Sequence, residues 1–402
     1  MIFYQNILCF VNINLIFKKL LYIIYLNINY IKVYLSVAIY KTFLKKWQAI
    51  ILAVCLISTI LFSTACSTKG CAVDFVYFNT VIHVETHGST ISNQTEKDLE
   101  NLFSSLEREF SCSNQSSYTY AINSAGANLP TKVNQRYATV FSLAKEYHDF
   151  TNGLFNPAIY PLVKLWQFND YPVKDFVLPT ENQITALTNG ALDFDGFSLN
   201  ANDLSITKTN ERLSLDFGGI LKGYATDLAS QILLDAGHTK GYISVGGSSL
   251  FILGVESLGI RHPRATADNS LIISVNLDSA KNIPVSTSGD YEKYYILDGK
   301  NYNHILHSQT GYPTDTGVIS ATITGVSGAF GDAITTAMCL MSHQNSSTNS
   351  NLILFMKKII AQNANCGIYA VYLNGESKEI ITNKKQGEDF TLLDESYLIN
   401  QI

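Results

Sequence analysis

The charge pattern of the chain separates an apolar leader from an acidic body. Residues 1–73 contain seven lysines and no acidic residue, whereas the whole chain of 402 residues has 28 basic and 33 acidic side chains. The remaining 329 residues therefore hold 21 basic and 33 acidic side chains, a net charge of −12. Because this excess of acid repels phosphate backbones, no nucleic acid partner is expected. The sequence predicts an acidic globular body behind a basic, apolar segment.

The leader has the layout of an export signal. Basic residues between positions 41 and 46 precede an apolar run from Trp47 to Phe62, and three small residues then lead to Cys66. This order resembles a bacterial lipobox, in which the cysteine is lipidated and becomes the mature N-terminus. The alternative is an uncleaved membrane anchor, although about 16 apolar residues fall short of the roughly 20 that span a bilayer. Residues 41–66 are predicted to be a signal and lipobox segment, and residues 1–40 an apolar leader or sequence upstream of the true start.

Past residue 72 the sequence mixes the periodicities of helices and strands. Runs such as VIHVET, SLIISV, ISATITGV and GIYAVYL indicate strands, whereas TEKDLENLFSSLEREF, KVNQRYATVFSLAKEYHDFT and ENQITALTN indicate helices. No repeat or long low-complexity linker interrupts them. We therefore predict an α+β fold, a single mixed α/β body over residues 74–397, with surface insertions at 265–269 and 343–351.

The body contains few cysteines, and their spacing is uninformative. None of them forms a CxxC pair or shows the spacing of a metal site, so free thiols and disulfides both remain open. The four outside the leader are Cys71, Cys112, Cys339 and Cys366.

The stretch LDFGGILKGYATD, residues 215–227, combines an acid, two glycines and a lysine near a helical pattern. ERLSLDF alternates as a strand, and from Lys222 apolar residues recur on one helical face until Gly237, a typical helix stop. GGIL is thus predicted to be a strand-to-helix turn, whose free amides and dipole suit an anion. A lysine in the first turn of a helix is easier to explain with a phosphate present. The alternative is an ordinary turn.

A second candidate site lies in SGAFGDAITTAMCLMS, which is predicted to be a helix. Asp332 and Thr336 are four residues apart and therefore share one face. A carboxylate and a hydroxyl so placed are two oxygen ligands for a hard cation such as Mg²⁺. The alternative is an acid that complements the helix dipole and a threonine that faces the core.

A third candidate is NYNHILHSQTGYPTD, which contains His304 and His307 before a turn. Because no third ligand stands nearby, zinc is not indicated. A histidine that acts as a general base or contacts a phosphate is the sharper interpretation, and the ordinary pKa of an imidazole suits the first role.

Six stretches of the body occur together in a characteristic order. They are FNPAIYPLVKLWQF, LDFGGILKGYATD, ISVGGSSLF, PVSTSGDYEKYY, NHILHSQTGYP and GDAITTAMCLM. In order and spacing they resemble the ApbE family, the FAD:protein FMN transferases, and the resemblance extends from Phe78 to about Tyr372. It implies that the predicted α+β body has the ApbE fold.

The resemblance also implies an activity. ApbE proteins are Mg²⁺-dependent enzymes that cleave FAD at its pyrophosphate and transfer FMN to a threonine or serine hydroxyl of an exported flavoprotein, releasing AMP. Their acceptors are typically subunits of membrane redox pumps or flavin-bearing reductases. FAD is then the substrate and Mg²⁺ the cofactor. Many members are lipoproteins, so the resemblance and Cys66 together imply an extracytoplasmic protein held at the bacterial cell membrane by a lipid anchor.

Positions that match the family motifs acquire roles by the same resemblance. Asp332, Thr336 and the backbone carbonyl of Gly219 are implied to bind Mg²⁺. Asp216 and Lys222 are implied to contact FAD, and His304 to activate the incoming hydroxyl or steady the transferred phosphate. The residues implied to line the flavin or adenosine pocket are Phe78, Asn156 and Leu306.

The motifs also depart from the family pattern. The usual Met-Gly-Thr is Phe-Asn-Thr at 78–80, the usual Phe-Asp-Pro is Phe-Asn-Pro at 155–157, and the usual His-Ile-Ile-Asp-Pro is His-Ile-Leu-His-Ser at 304–308. Three other functions therefore stay open: a flavin-binding lipoprotein without transferase activity, an FAD pyrophosphatase that uses water as the acceptor, and an ordinary solute-binding lipoprotein.

Overall fold

The computed structural model describes residues 71–265, 270–343 and 350–402. The predicted leader over residues 1–40 and the signal segment over 41–66, with Cys66, lie outside the described residues. Within the described ranges, no helix combines the length and the apolar character needed to cross a membrane.

Strands of the described body are numbered here in chain order. They are β1 (Cys71–Tyr77), β2 (Thr80–Thr86), β3 (Thr131–Lys132), β4 (Phe197–Asn200), β5 (Ser205–Lys208), β6 (Gly241–Val245), β7 (Ser249–Leu253), β8 (Ser257–Arg261), β9 (Leu271–Asn276), β10 (Asn282–Gly289), β11 (Tyr294–Leu297), β12 (Lys300–Asn303), β13 (Val318–Thr324), β14 (Gly367–Asn374), β15 (Ser377–Thr382), β16 (Phe390–Leu392) and β17 (Leu398–Gln401).

Helices occur between and beside these strands, which confirms the predicted mixed α+β class. They are α1 (Asn93–Phe110), α2 (Tyr118–Ser124), α3 (Gln135–Phe150), α4 (Tyr160–Leu165), α5 (Glu181–Thr188), α6 (Gly218–Asp235), α7 (Gly328–Cys339) and α8 (Asn351–Gln362). Helices α1, α3 and α5 correspond to the three predicted from periodicity. Each begins after a side chain that caps it, since Ser92, Asn134 and Thr180 accept hydrogen bonds from amides of the first turn.

The main sheet has nine strands in the order β1-β2-β6-β7-β10-β13-β14-β15-β17. All neighbours are antiparallel except β15 and β17. Smaller sheets are formed by β3-β5-β4, by β16-β9-β8 and by the β11-β12 hairpin. Helices α6 and α7 pack against the middle of the main sheet, and their apolar faces are buried there.

Helices α6 and α7 meet at two glycines. A Cβ atom added to Gly223 would lie 2.1 Å from the carbonyl oxygen of Gly328, and one added to Gly328 would lie 2.5 Å from the carbonyl oxygen of Gly223. The backbones can approach this closely only because neither residue has a side chain. The crossing brings the second turn of α6 against the first turn of α7.

The interpretation of ERLSLDF as a strand was wrong. Burial alternates as in a strand, with Leu213, Leu215 and Phe217 inside, but the segment joins no ladder among the described strands. Its backbone pairs elsewhere: the Asn123 side-chain amide exchanges two hydrogen bonds with the backbone of Leu215. The amide of Asp216 donates to the carbonyl of Pro157 at 2.8 Å. The alternation of apolar residues therefore predicted correctly which side chains are buried, but it wrongly predicted that the segment pairs with a neighbouring strand.

The predicted start of α6 was also wrong, because the helix begins at Gly218 and not at Lys222. GGIL is its first turn, and the amide of Gly218 donates to Asp216 Oδ1 at 2.7 Å. The amides of Ile220 and Leu221 donate to the Phe217 carbonyl. These bonds occupy three of the amides that were expected to face an anion. Lys222 consequently lies in the second turn. An anion at this point would be attracted by its ammonium group and not by free amides of the first turn.

Most of the two predicted surface insertions, at 265–269 and 343–351, lies outside the described residues. At the described ends of the second, His343 and Ser350 are buried and hydrogen-bonded to each other at 2.9 Å. All four body cysteines are free thiols. Cys339 and Cys366 are buried, and burial raises the pKa of both thiols.

Candidate active site

Asp332 is a buried carboxylate at the helix crossing. Its Oδ2 accepts a hydrogen bond from the amide of Gly223 at 2.7 Å, and the Ser249 hydroxyl lies 2.9 and 3.0 Å from its two oxygens. Within the part of the chain that the structure describes, no basic side chain forms an ion pair with it. Burial raises its pKa, while the nearby charge of Lys222 acts in the opposite direction. A buried carboxylate held only by neutral donors favours a cation beside it.

Thr336 follows Asp332 by one turn on the same face of α7, as predicted. Its hydroxyl donates to the backbone carbonyl of Asp332 at 2.9 Å, so the oxygen lone pairs point away from the helix. The hydroxyl of Ser288, on β10, lies 3.3 Å from this oxygen. Asp332 and Thr336 therefore offer two oxygen ligands between α7 and the sheet.

Gly219 lies one turn before Gly223 on α6. A helical carbonyl points toward the amide four residues later, and the amide of Gly223 is the one that donates to Asp332. The Gly219 carbonyl is therefore directed toward the amide from which Asp332 accepts, which puts both oxygens near the helix crossing. A Cβ atom at this position would lie 3.1 Å from Cε2 of Phe155, so the glycine also allows close packing.

The donor set at this crossing fits Mg²⁺. Carboxylate, hydroxyl and carbonyl oxygens are the hard ligands that Mg²⁺ prefers, and the described site has no thiol or imidazole among them. The Asp332 carboxylate accepts only from neutral groups, the Ser249 and Ser286 hydroxyls and the amide of Gly223, so its negative charge is left for a cation. The residues that would hold the ion are Gly219, Asp332 and Thr336.

Lys222 connects this crossing to a second group of side chains. Its ammonium donates to the Ser248 hydroxyl at 2.5 Å, in the turn between β6 and β7. Its charge affects the pKa of Asp332 on one side and those of His304 and Lys293 on the other. The lysine thus stands between the oxygen ligands and the histidine.

His304 follows β12 and is held by the backbone of Lys293. The backbone amide of His304 donates to the Lys293 carbonyl at 3.0 Å, and its ring Nδ1 lies 3.3 Å from the same oxygen. Because a carbonyl oxygen can only accept, Nδ1 carries the proton and Nε2 has a free lone pair. Burial, Lys222 and Lys293 together lower the pKa of His304 to about 4. The expectation of an ordinary imidazole pKa is corrected: the ring is neutral, and in the free protein it is a weak base.

Asp216 and Asn156 are partly used to build the site. Asp216 caps α6 through Gly218, and burial raises its pKa while the charge of Lys293 opposes the rise. Asn156 donates to the Leu192 carbonyl and accepts from the amide of Ala158, both within 2.9 Å. The Asn156 side chain therefore holds the turn before α4. Asp216 lies close enough to Lys293 to be affected by its charge.

Phe78 and Leu306 lie in different apolar contacts. Phe78 begins the turn between β1 and β2, where it and Asn79 both have positive φ, and its ring packs edge-on against Phe103. Leu306 is buried in an apolar cluster with Trp166 and neighbouring side chains. A pocket-lining role for both residues stays a prediction.

Sequence reasoning missed two charged residues of this region. Lys293 supplies both a carbonyl and an ammonium next to His304. Asp227 on α6 accepts hydrogen bonds from the amides of Gly328 and Ala329, at 2.7 and 3.1 Å, and so caps α7 from the neighbouring helix. Both residues stand inside quoted motifs, DYEKYY and LDFGGILKGYATD, but only the fold shows what they contact.

Another convergence of ligating groups lies outside this region. His148, Asp149 and Asp195 bring their ligand atoms within 4.8 Å of one another. Lys145 forms ion pairs with both of these carboxylates. The lysine therefore supplies the cation that brings the two acids together.

Comparison with known proteins places this geometry in a family. The ApbE family model matches residues 78–351. A protein of Klebsiella pneumoniae named FAD:protein FMN transferase is 31% identical over 220 residues, which cover 54% of this chain and 66% of the relative. A protein of the same name from Treponema pallidum is 27% identical over 292 residues, which cover 66% of this chain and 77% of the relative.

Solved structures share the fold. An ApbE protein from Thermotoga maritima superposes with a TM-score of 0.66 at 23% identity, covering 76% of this chain and 94% of its own. The flavin transferase ApbE of Vibrio cholerae gives 0.63 at 18% identity, covering 80% and 96%. The resemblance inferred from the six motifs is confirmed, because the family model covers well over half of the chain. The chain belongs to the ApbE family.

Proposed function

We propose that the protein transfers FMN from FAD to a threonine or serine hydroxyl of an acceptor flavoprotein, with Mg²⁺ bound and AMP released. The observation that carries the proposal is the convergence around Lys222. On one side lie the buried oxygen ligands Asp332 and Thr336, and on the other the neutral histidine His304. The relatives named FAD:protein FMN transferase support the same reaction.

The chain's residues divide the chemistry between them. In the transfer, a bond forms between the acceptor oxygen and the FMN phosphorus while the bond from that phosphorus to the bridging oxygen breaks. The bridging oxygen and its electron pair leave with AMP. Nε2 of His304 has a lone pair that can take the proton of the acceptor hydroxyl. Gly219, Asp332 and Thr336 would hold Mg²⁺, which would supply positive charge to offset that of the phosphates.

The low pKa of His304 is compatible with this role. Burial, and then the charges of Lys222 and Lys293, lower it in the free protein. A bound pyrophosphate is anionic and would lie against the same lysines, so it would offset their effect and make the imidazole a stronger base. His304 would therefore gain basicity when the substrate is present.

We propose further that the enzyme acts outside the cytoplasm, attached to the bacterial cell membrane as a lipoprotein. The support is the signal-like segment 41–66 with Cys66 after three small residues. The acceptor is then an exported flavoprotein, of the redox-pump or reductase class that the family resemblance implies. Globomycin treatment of cells that express the chain tests the anchor, since loss of lipid processing would leave a larger precursor.

The transfer itself is tested with the full-length chain in detergent, FAD, Mg²⁺ and an exported flavoprotein domain from the same genome. We expect flavin fluorescence on the acceptor in a denaturing gel and an equal amount of AMP. AMP and free FMN in the presence of several such acceptors, with no labelled protein, would favour a pyrophosphatase. Intact bound FAD after long incubation would make the protein a flavin-binding lipoprotein and refute the proposal.

A further inference from the structure

Lys293 occupies an unusual position between β10 and β11. Its backbone carbonyl accepts from both the backbone amide and the ring Nδ1 of His304. This pair of bonds fixes the ring and its tautomer, so Nε2 faces away from the Lys293 backbone as an acceptor. The same residue thus positions the histidine and carries a positive charge beside it.

The ammonium of Lys293 forms no hydrogen bond and no ion pair among the described residues. It is partly buried and is repelled by the charge of Lys222, while the carboxylates of Asp216 and Glu292 attract it without contacting it. The other lysine of this region, Lys300, is exposed, lies 3.9 Å from Asp315 and rests over the ring of Tyr302. Burial and a like charge are both unfavourable for an ammonium, and an anion between the two lysines would relieve both costs.

We propose that Lys293 is a second phosphate-binding residue of this site, whose ammonium binds the pyrophosphate of the dinucleotide together with Lys222. This inference rests on the proposed function. The bridging oxygen that leaves with AMP acquires negative charge as its bond to the FMN phosphorus breaks. Two ammonium groups stabilise that charge better than one, since each supplies a charge-assisted hydrogen bond. The carbonyl of the same residue meanwhile keeps His304 Nε2 available for the acceptor proton.

The side-chain role can be separated from the backbone role. Lys293→Gln removes the charge and leaves the carbonyl that holds His304, whereas Lys293→Arg retains a cation. Lys300→Gln is the matched control, because it removes an exposed lysine from the adjacent hairpin. All variants are prepared as full-length chains in detergent, and their thermal unfolding midpoints are compared with the parent's.

Binding of three flavins, followed by flavin fluorescence, tests the proposal. Riboflavin lacks phosphate, FMN has one and FAD has two, so a residue that binds phosphate discriminates among them. We expect Lys293→Gln to weaken FAD binding by about tenfold to a hundredfold and to leave riboflavin binding unchanged. Lys293→Arg should retain most of the FAD affinity, and Lys300→Gln should behave as the parent.

Two results would overturn the assignment of Lys293. Equal weakening of riboflavin and FAD would make its side chain structural, and unchanged FAD binding would place it outside the phosphate site. Failure of the proposed function looks different, because the unmodified chain would then label no acceptor with FMN, whatever its affinity for FAD. A parent that prefers FAD, with a Lys293→Gln variant that does not, supports the assignment of Lys293.

Discussion

The two sides of the candidate site are built in opposite ways. On the oxygen side, helices α6 and α7 touch backbone to backbone at Gly223 and Gly328, and every hydrogen-bonding atom of the Asp332 carboxylate has a neutral donor. On the cationic side, neither the ammonium of Lys293 nor Nε2 of His304 has a described hydrogen-bond partner, although Asp216 and Glu292 attract the ammonium. One side is packed backbone to backbone around a carboxylate, and the other contains cationic groups and a lone pair that a ligand would contact.

This difference separates what substitutions should do. Changes at the helix crossing alter packing as well as the proposed metal ligands, so they should affect the free energy of unfolding. Changes on the cationic side can remove a charge or a lone pair and keep most of the side-chain volume, so they should alter rate and affinity while leaving the fold intact. Substitutions on the two sides test this division.

Asp332→Asn should abolish Mg²⁺-dependent transfer, by about a thousandfold or more, because it removes the anionic ligand. The amide is isosteric and its oxygen can still accept from Gly223 and Ser249, so the fold should be retained. Initial rates of AMP release across a Mg²⁺ titration measure the effect. Asp235→Asn, an exposed acid at the end of α6, is the control. Full Mg²⁺-dependent turnover by Asp332→Asn would sink the metal assignment.

His304→Gln should slow transfer by about a hundredfold to a thousandfold, while FAD affinity changes much less. In the proposed mechanism the lone pair of the imidazole takes the acceptor proton, whereas the lysines bind the phosphates. Single-turnover transfer and FAD binding are measured on the same preparation, with His87→Gln, an exposed histidine on the far edge, as control. An equal loss in rate and affinity would make His304 a binding residue.

The pH profile sharpens the same point. With a pKa of about 4, His304 is deprotonated at all pH values above 5, so it should produce no limb in kcat/KM between pH 5 and 8. Lys222→Gln removes one of the charges that lower this pKa, and the acid limb should then move upward. A fall in kcat/KM below about pH 6.5 in the unmodified enzyme would contradict the lowering of the His304 pKa by burial and the two lysines.

Gly223→Ala should destabilise the protein by about 1–3 kcal/mol and weaken Mg²⁺ binding. The new methyl would lie 2.1 Å from the Gly328 carbonyl oxygen, so the helices must separate and the bond from residue 223 to Asp332 must lengthen. Urea unfolding gives the free energy. Gly126→Ala is the control, since its nearest neighbour is the flexible end of Leu129. Equal stability of the two variants would mean that the crossing is not tightly packed.

Much of this architecture could be anticipated from local sequence. Apolar periodicity predicted α1, α3, α5 and α7 within a few residues, since these helices have strong caps or amphipathic faces. The i, i+4 spacing of Asp332 and Thr336 was sufficient to put them on one face. Their partners were not predictable, because Ser249 and Gly223 come from other elements and meet Asp332 only when α6 crosses α7.

The failures share one physical cause. Leu213 and Leu215 alternate as in a strand, but their backbone bonds go to the Asn123 side chain and to no strand. The GGIL turn was predicted to expose its amides, yet Asp216 and Phe217 satisfy three of them and extend the helix. Periodicity reports which side of a segment is buried, whereas hydrogen bonding depends on distant residues that only the fold supplies.

Asp227→Asn should have the smallest effect on stability. It tests the clamp between the two helices, that is, the Asp227 carboxylate of α6 with the amides of Gly328 and Ala329 of α7. Asparagine can accept from Gly328 but not also from Ala329, so about 1 kcal/mol of stability should be lost near pH 4, where the parent carboxyl is neutral in the folded protein, and less near pH 7. Burial, and secondarily the Asp332 charge, raise the pKa of Asp227 to about 6, above its unfolded value. The unmodified protein therefore binds this proton more tightly when folded, and the associated stability is present below about pH 4 and lost as pH rises through 6.

Asparagine cannot titrate, so the difference in unfolding free energy between parent and variant should change over this interval, as urea unfolding at several pH values would reveal. A difference that is constant from pH 4 to pH 7 would mean that Asp227 ionises normally and that the clamp holds without burial of its charge.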